Sequence, residues 1–297
     1  MNLTDRDLKV IWHPYTQMKT AKPPIPIVRG EGVLLFDENG KIYIDAVSSW
    51  WVNIHGHAHP YIAKKVAEQL NKLEHVIFAG FTHEGAVELA ERLLQILPLN
   101  QQKAFYSDNG STAVEVGIKM CLQYWHNKGE NRTKIIALKN AYHGDTFGAM
   151  AVSGRSAFTA AFDQLLFEVE FIDLPDKDNI QYLTSQISHL KSNTACFIFE
   201  PLVQGAGGML MYEAEYLNEL MLHCRKEGVL MIADEVFTGF GRTGKNFATN
   251  HVQEQPDIMC FSKGLTGGTM ALGLTTCTQA IYDAFLSDDK LKTLFHG

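Results

Sequence analysis

The chain predicts an α/β fold, built on a mostly parallel, seven-stranded sheet covered by helices on both faces. From about residue 103 onward, seven short runs with strand character recur, and helical patterns lie between most of them. The intervals are long enough for crossover helices, which parallel strands require. Runs such as Val229 to Ala233 are apolar at every position, as strands covered on both faces are.

The first hundred residues precede this pattern. A Pro-rich entry (Pro23, Pro24, Pro26) leads to a strand pair between Gly32 and Asp45, turning at Glu38-Asn39-Gly40, where Asn-Gly supplies the positive φ of a tight hairpin. Amphipathic helices are expected near His59 to Leu73 and Glu84 to Leu97, the second stopped by Pro98. The strands then fall at Ala104 to Tyr106, Lys134 to Leu138, Glu168 to Ile172, Ala195 to Phe199, Val229 to Ala233, Ile258 to Phe261 and Leu272 to Thr276. A helix after the first of them carries Val114, Ile118, Cys121 and Leu122 on one side. The expected division is an N-terminal segment with short strands, 1–50, and a large domain, 51–297.

Composition excludes several function classes. With 46% hydrophobic and 20% charged residues, the 297-residue chain has the balance of a globular protein rather than of a disordered one. A formal charge of -7 provides no global basic field for nucleic acid. The five cysteines stand singly, which predicts reduced thiols, and no apolar run approaches a membrane span. The N-terminus lacks the apolar stretch of a signal peptide, so a cytoplasmic location is expected.

In parallel sheets ligands gather at the carboxyl ends of strands. Ser107-Asp108-Asn109-Gly110-Ser111-Thr112 follows the first strand and opens a helix, so Gly110 and Ser111 sit where an anion such as phosphate binds; read alone, the segment is more readily an ordinary N-cap. Tyr142, in Tyr142-His143-Gly144 after the second strand, suits stacking on a flat heterocycle, or is simply a boundary tyrosine. Asp234 emerges from a wholly apolar strand and needs a positive or hydrogen-bonding partner, such as a protonated pyridine nitrogen, unless it faces water. Lys263 follows another apolar run; desolvation there makes a lysine a nucleophile for carbonyl carbon, the alternative being a stem that reaches solvent.

Two patterns are set aside. Gly239 to Lys245 satisfies G-x-x-x-x-G-K, but Asn246 replaces the hydroxyl residue that would bind magnesium. His55, His57 and His59 lie in a loop without a nearby Cys or acid, and no metal is assigned to them.

Taken together, Gly110-Ser111, Tyr142-His143-Gly144, Asp234-Glu235 and Ser262-Lys263-Gly264 resemble, in order and spacing, the class III pyridoxal phosphate aminotransferases of fold type I. Trp12-His13-Pro14-Tyr15-Thr16, the double tryptophan in Ser48 to Gly56, Gln204 to Met209 and Gly239 to Gly244 are similar to the branch of that class serving biotin synthesis. The resemblance implies pyridoxal 5'-phosphate as cofactor, and transfer of the amino group of S-adenosyl-L-methionine to 8-amino-7-oxononanoate. The alternatives are another class III ω-aminotransferase, of the ornithine or 4-aminobutyrate type, or an inactive remnant.

It also implies roles. Lys263 would carry the cofactor covalently and shuttle a proton, and Asp234 would pair with the pyridinium nitrogen. Gly110 and Ser111 would hold the phosphate, Tyr142 would lie over the ring, and Glu200 would support these contacts from behind. Tyr15, Trp50, Tyr142, Lys263 and Gly297 would meet substrate. A homodimer with shared sites is expected. Family members continue into a small C-terminal domain, whereas this sequence stops at Gly297. The expectation is therefore that this domain is absent, that the chain is a fragment, and that it is unstable or inactive as it stands.

Overall fold

The computed structural model describes all of residues 1–297. Two compact units divide the chain, Met1–Val76 and Ile77–Gly297.

In the first unit, helix α1 (Leu3–Val10) starts at Asn2, whose side chain accepts from the Asp5 N–H. Strands β1 (Ile27–Glu31), β2 (Leu34–Asp37) and β3 (Ile42–Ile44) form an antiparallel sheet in that order. The β2–β3 turn is the expected one: Gly40 has φ 80, and Asp37 Oδ1 accepts from the N–H groups of Asn39 and Lys41. Strand β1 was not foreseen, because it is mostly exposed, lacks alternation and follows the prolines. Helix α2 (Pro60–Leu70) opens on a proline, whose fixed φ suits a first helical position.

Between them, Ser48, Ser49, Trp50 and Trp51 have φ of 49, 49, 62 and 64, and Trp51 N and Val52 N donate to the carbonyls of Val47 and Ser48. This is a single turn of left-handed helix. Each such non-glycine residue costs roughly 1–2 kcal/mol. A bridge from His57 to Gly32 ties the following loop back to the small sheet, so residues 51–76, grouped with the large domain in the sequence reading, cluster with the first unit.

The second unit begins with α3 (Glu84–Ile96) and contains the seven-stranded sheet. Its strands are β4 (Gln101–Ser107), β5 (Lys134–Leu138), β6 (Glu170–Ile172), β7 (Thr194–Phe199), β10 (Leu230–Asp234), β11 (Ile258–Phe261) and β12 (Gly273–Thr278); a two-residue hairpin, β8 (Val203–Gln204) with β9 (Leu210–Met211), interrupts the series. Spatial order is β4-β12-β11-β10-β7-β5-β6, and only β12 runs antiparallel to its neighbours. All seven expected strands are present.

Alternation along the strands builds two cores. Phe197 and Phe199 of β7 join Leu183, Ile187, Leu217 and Leu220 from α6 (Ile180–Leu190) and α7 (Ala214–Lys226). Cys196 and Ile198 face Val114, Ile118, Cys121 and Trp125 of α4 (Gly110–Asn127). With both faces covered, β7 is buried throughout, and each large side chain contributes roughly 1.5–3 kcal/mol by leaving water. In β5, β7, β10 and β11 polar residues stand only at or just beyond the strand ends, whereas Thr275 and Thr276, buried within β12, donate to Ala113 O and Gln101 Oε1. All five cysteines are buried and free, and no helix is long and apolar enough to cross a membrane.

Candidate active site

A cavity of about 440 Å³ opens at the carboxyl ends of the parallel strands, where β4, β5, β7, β10 and β11 each deliver a polar residue. It brings together Gly110, Ser111, Tyr142, Glu200, Asp234 and Lys263.

One wall is the start of α4. Asn109 caps it: its side chain accepts from Thr112 N at 3.0 Å, and Thr112 Oγ1 accepts from Asn109 N at 2.9 Å. Thr112 thus serves the cap, while Gly110 and Ser111 face the cavity at the positive end of an 18-residue helix, a favourable place for an anion. Cap and anion site coexist. A Cβ on Gly110 would meet Val236 Cγ1 at 2.8 Å, so the close approach requires glycine.

The opposite wall is the strip after β5. Ser111 Oγ accepts from Asp145 N at 3.1 Å, and Gly144, at φ 132, passes so close that a Cβ would lie 2.0 Å from the same oxygen. Glu115 Oε1 anchors the strip by accepting from Thr146 Oγ1, Gly148 N and Ala149 N at the start of α5 (Phe147–Ala151). Tyr142 is fixed at both ends: its N–H donates to Glu200 Oε1 at 2.9 Å, and its hydroxyl to Asp145 Oδ2 at 2.9 Å. Tyr142 lines the cavity, where an aromatic ring suits stacking on a planar ligand.

Asp234 ends β10, buried. Its Oδ2 accepts from His143 Nδ1 at 2.7 Å, and its Oδ1 from Val236 N at 3.0 Å. The His143 side chain is wholly buried, and its Nε2 has no partner. Glu200 lies nearby, its carboxyl pushed up to about 7; burial is the main cause, the Asp234 charge adds to it, and His143 with the N–H groups of Tyr142 and Gly205 opposes it. Lys263 follows β11 in a left-handed conformation, φ 40, which a long side chain adopts only where the surroundings impose it. Burial lowers its pKa; Asp234 and Glu200 resist, and Arg242 reinforces the fall. Its Nζ stands 5.6 Å from the Phe237 ring centroid.

Glu235 plays a different part from its neighbour. Its carboxylate accepts from Thr238 Oγ1, Ala248 N, Thr249 N and Thr249 Oγ1, which folds the 239–245 loop back on itself. That loop leads into the short 3-10 turn Ala248–His251, so it forms no phosphate-binding strand–loop–helix.

Three expected site residues are not among those lining the cavity. Tyr15 and Trp50 belong to the first unit, their rings edge-on with centroids 5.4 Å apart. Gly297, exposed at the end of a tail tied to α4 through Lys119 and Gln123, is not among the cavity's lining residues. Conversely, His143 and Phe237 line the cavity and were given no role in the sequence reading. His143 carried a signal, since it stands between Tyr142 and Gly144 beside a buried strand end.

A helix N-terminus for a phosphate, a buried carboxylate for a ring nitrogen, a flat tyrosine and a desolvated lysine for an aldehyde fit pyridoxal 5'-phosphate group by group. With the sheet order, they define a fold type I pyridoxal phosphate-dependent transferase. The family model "Aminotransferase class-III" matches residues 15–297, and the chain belongs to that family. It is similar to the adenosylmethionine-8-amino-7-oxononanoate aminotransferase of Synechococcus elongatus, 48% identical over 97% of this chain and 70% of that protein. The crystal structure of the Methanocaldococcus jannaschii enzyme of the same name superimposes with a TM-score of 0.95 at 40% identity, covering 99% of this chain and 69% of that one. An omega transaminase from Pseudomonas jessenii, in complex with PMP, gives 0.93 at 29% identity, over 100% of this chain and 70% of that one.

Proposed function

We propose that this site serves transfer of the amino group of S-adenosyl-L-methionine to 8-amino-7-oxononanoate, giving 7,8-diaminononanoate, in biotin synthesis. One observation carries the chemistry: Asp234 and Lys263, delivered by the neighbouring parallel strands β10 and β11, line one cavity with a helix N-terminus. The aromatic motifs at residues 12–16 and 48–56 and the 48% identical relative favour this substrate pair over an ω-amine.

When bound, pyridoxal 5'-phosphate supplies an aldehyde that accepts and passes on the amino group and a ring that withdraws electrons. Gly110 and Ser111 would hold the phosphate at the start of α4. Asp234, kept in place by His143 and Val236 N, would hold a proton on the ring nitrogen. Tyr142 would stack on the ring face. Lys263, its amine easier to deprotonate because it is buried, would hold the cofactor covalently and would take and return the proton at the substrate Cα. Glu200 holds the Tyr142 strip and the Gly205 loop together through two backbone N–H groups. Tyr15, Trp50 and Gly297 are assigned to substrate recognition on the resemblance. A homodimer in the cytoplasm completes the proposal.

Donor screening tests it. With 8-amino-7-oxononanoate as acceptor, S-adenosyl-L-methionine is expected to support diaminononanoate formation in ping-pong order, while ornithine and 4-aminobutyrate do not. Turnover with an ω-amine and none with S-adenosyl-L-methionine would replace this reading with the ω-aminotransferase one.

A further inference from the structure

The left-handed turn Ser48–Trp51 is the most strained segment of the first unit, and burial does not compensate for it. Trp50 is 57% exposed and Tyr15, itself at φ 52, is 53% exposed, so both rings spend their backbone strain without gaining a core position. Residues held in this way persist only where the surroundings over-determine them, and they cluster at working sites.

What over-determines the turn is Asp45. Its Oδ1 accepts from Ser49 N at 2.9 Å, and its Oδ2 from Ser49 Oγ at 2.7 Å and His57 Nε2 at 2.9 Å, with only 8% of the side chain exposed. His57 is itself fixed, because the Asn53 amide lies 2.7 Å from its Nδ1 and its backbone exchanges two hydrogen bonds with Gly32. An Asn53 amide donating to Nδ1 leaves Nε2–H to donate to Asp45. Gly30 makes room for the imidazole; a Cβ there would lie 2.6 Å from His57 Cβ. Burial works against ionisation of Asp45, yet Ser49 and His57 outweigh it and hold the carboxyl below its usual range. Small sheet, histidine, carboxylate and turn thus form one connected support for Trp50, against which Tyr15 sets its edge at 66°.

We infer that Asp45 and His57 are positioning residues for substrate recognition: they hold the left-handed turn that aims Trp50, so that the aromatic wall it forms with Tyr15 is set before the amino acceptor arrives. The inference rests on the reading that Trp50 meets substrate. A pre-set wall spares the substrate the cost of ordering two large side chains, so losing the support appears in KM rather than in kcat.

The test uses the holoenzyme with Asp45→Ala, the milder Ser49→Ala, and Trp50→Ala. Asp45→Ala is expected to diminish the aromatic circular dichroism band and to raise the acceptor KM about tenfold or more, with kcat within about twofold. The cofactor's visible absorption should be unchanged in it, since its proposed contacts lie in the second unit. Ser49→Ala, which removes only the hydroxyl bond, should move both readouts the same way by less, and it decides the matter if Asp45→Ala does not fold. An unchanged KM in a variant whose aromatic band has collapsed would overturn the inference while leaving the transaminase reading intact, as would an intact band in both support variants. If Trp50→Ala leaves KM unchanged, the reading beneath the inference fails, and the inference fails with it.

Discussion

The carboxyl edge of the large sheet and the left-handed turn of the first unit both hold side chains in unfavourable states, but by different means. At the sheet edge the unfavourable term is desolvation: Glu200, Asp234 and Lys263 are ionisable groups withdrawn from water, and named partners such as His143 and the N–H groups of Tyr142, Gly205 and Val236 offset part of it. In the turn the unfavourable term is backbone conformation, and hydrogen bonds to Asp45 offset it at an exposed surface. The first region should therefore respond to charge and pH, and the second to glycine.

The largest effect belongs to the buried edge. Replacing Lys263 with alanine removes the amine proposed to attach the cofactor and move the proton, so turnover should fall by on the order of a thousandfold or more. The visible absorption of the bound cofactor should shift with it. Stability should hardly drop, because a desolvated amine in a strained backbone is itself unfavourable. Measured turnover near the unsubstituted level would remove the functional claim on this edge.

How legible each region is in sequence follows from the same contrast. Strand ends announce themselves: an apolar run ending at or next to Asp234 or Lys263 places a charge at the boundary of a core, and the seven strands themselves were readable as short β runs alternating with helical stretches. His143 was harder to assign, because its partner Asp234 lies 91 residues away and only the parallel packing brings them together. The left-handed turn has no local signal at all. Ser-Ser-Trp-Trp contains no glycine or asparagine, and its conformation comes from Asp45 and from His57 reaching back 12 residues. Strand β1 was hidden for a related reason, since an exposed edge without alternation carries no period to read.

A smaller effect sharpens the comparison through pH. Glu200 is raised to about 7 from an ordinary 4.5, mainly by burial, so the folded protein binds this proton more tightly than the unfolded chain does. Its contribution to stability is therefore fully present below pH 4.5 and is lost as pH rises through 7. Glu200→Gln cannot ionise and should flatten the decline of melting temperature across that window, while forfeiting one of the two backbone hydrogen bonds, about 1 kcal/mol. Thermal melts at several pH values distinguish the two. Equal slopes in both proteins would mean that Glu200 carries no buried charge.

The smallest effect sets one substitution against its reverse. Gly144→Ala puts a Cβ 2.0 Å from Ser111 Oγ at φ 132, which alanine tolerates poorly, so the cup should lose about 1–3 kcal/mol. Ser48→Gly goes the other way. It relieves roughly 1–2 kcal/mol of left-handed strain and forfeits roughly 0.5–1 kcal/mol through the freer unfolded chain, leaving a net gain of at most about 1.5 kcal/mol. Differential melting of the two variants should thus give opposite signs: glycine is required where two strips of backbone meet, and it is an improvement where a turn has been forced left-handed to aim a tryptophan. If Ser48→Gly melts lower than the unsubstituted protein, strain is not what the turn stores, and the contrast between the two regions dissolves.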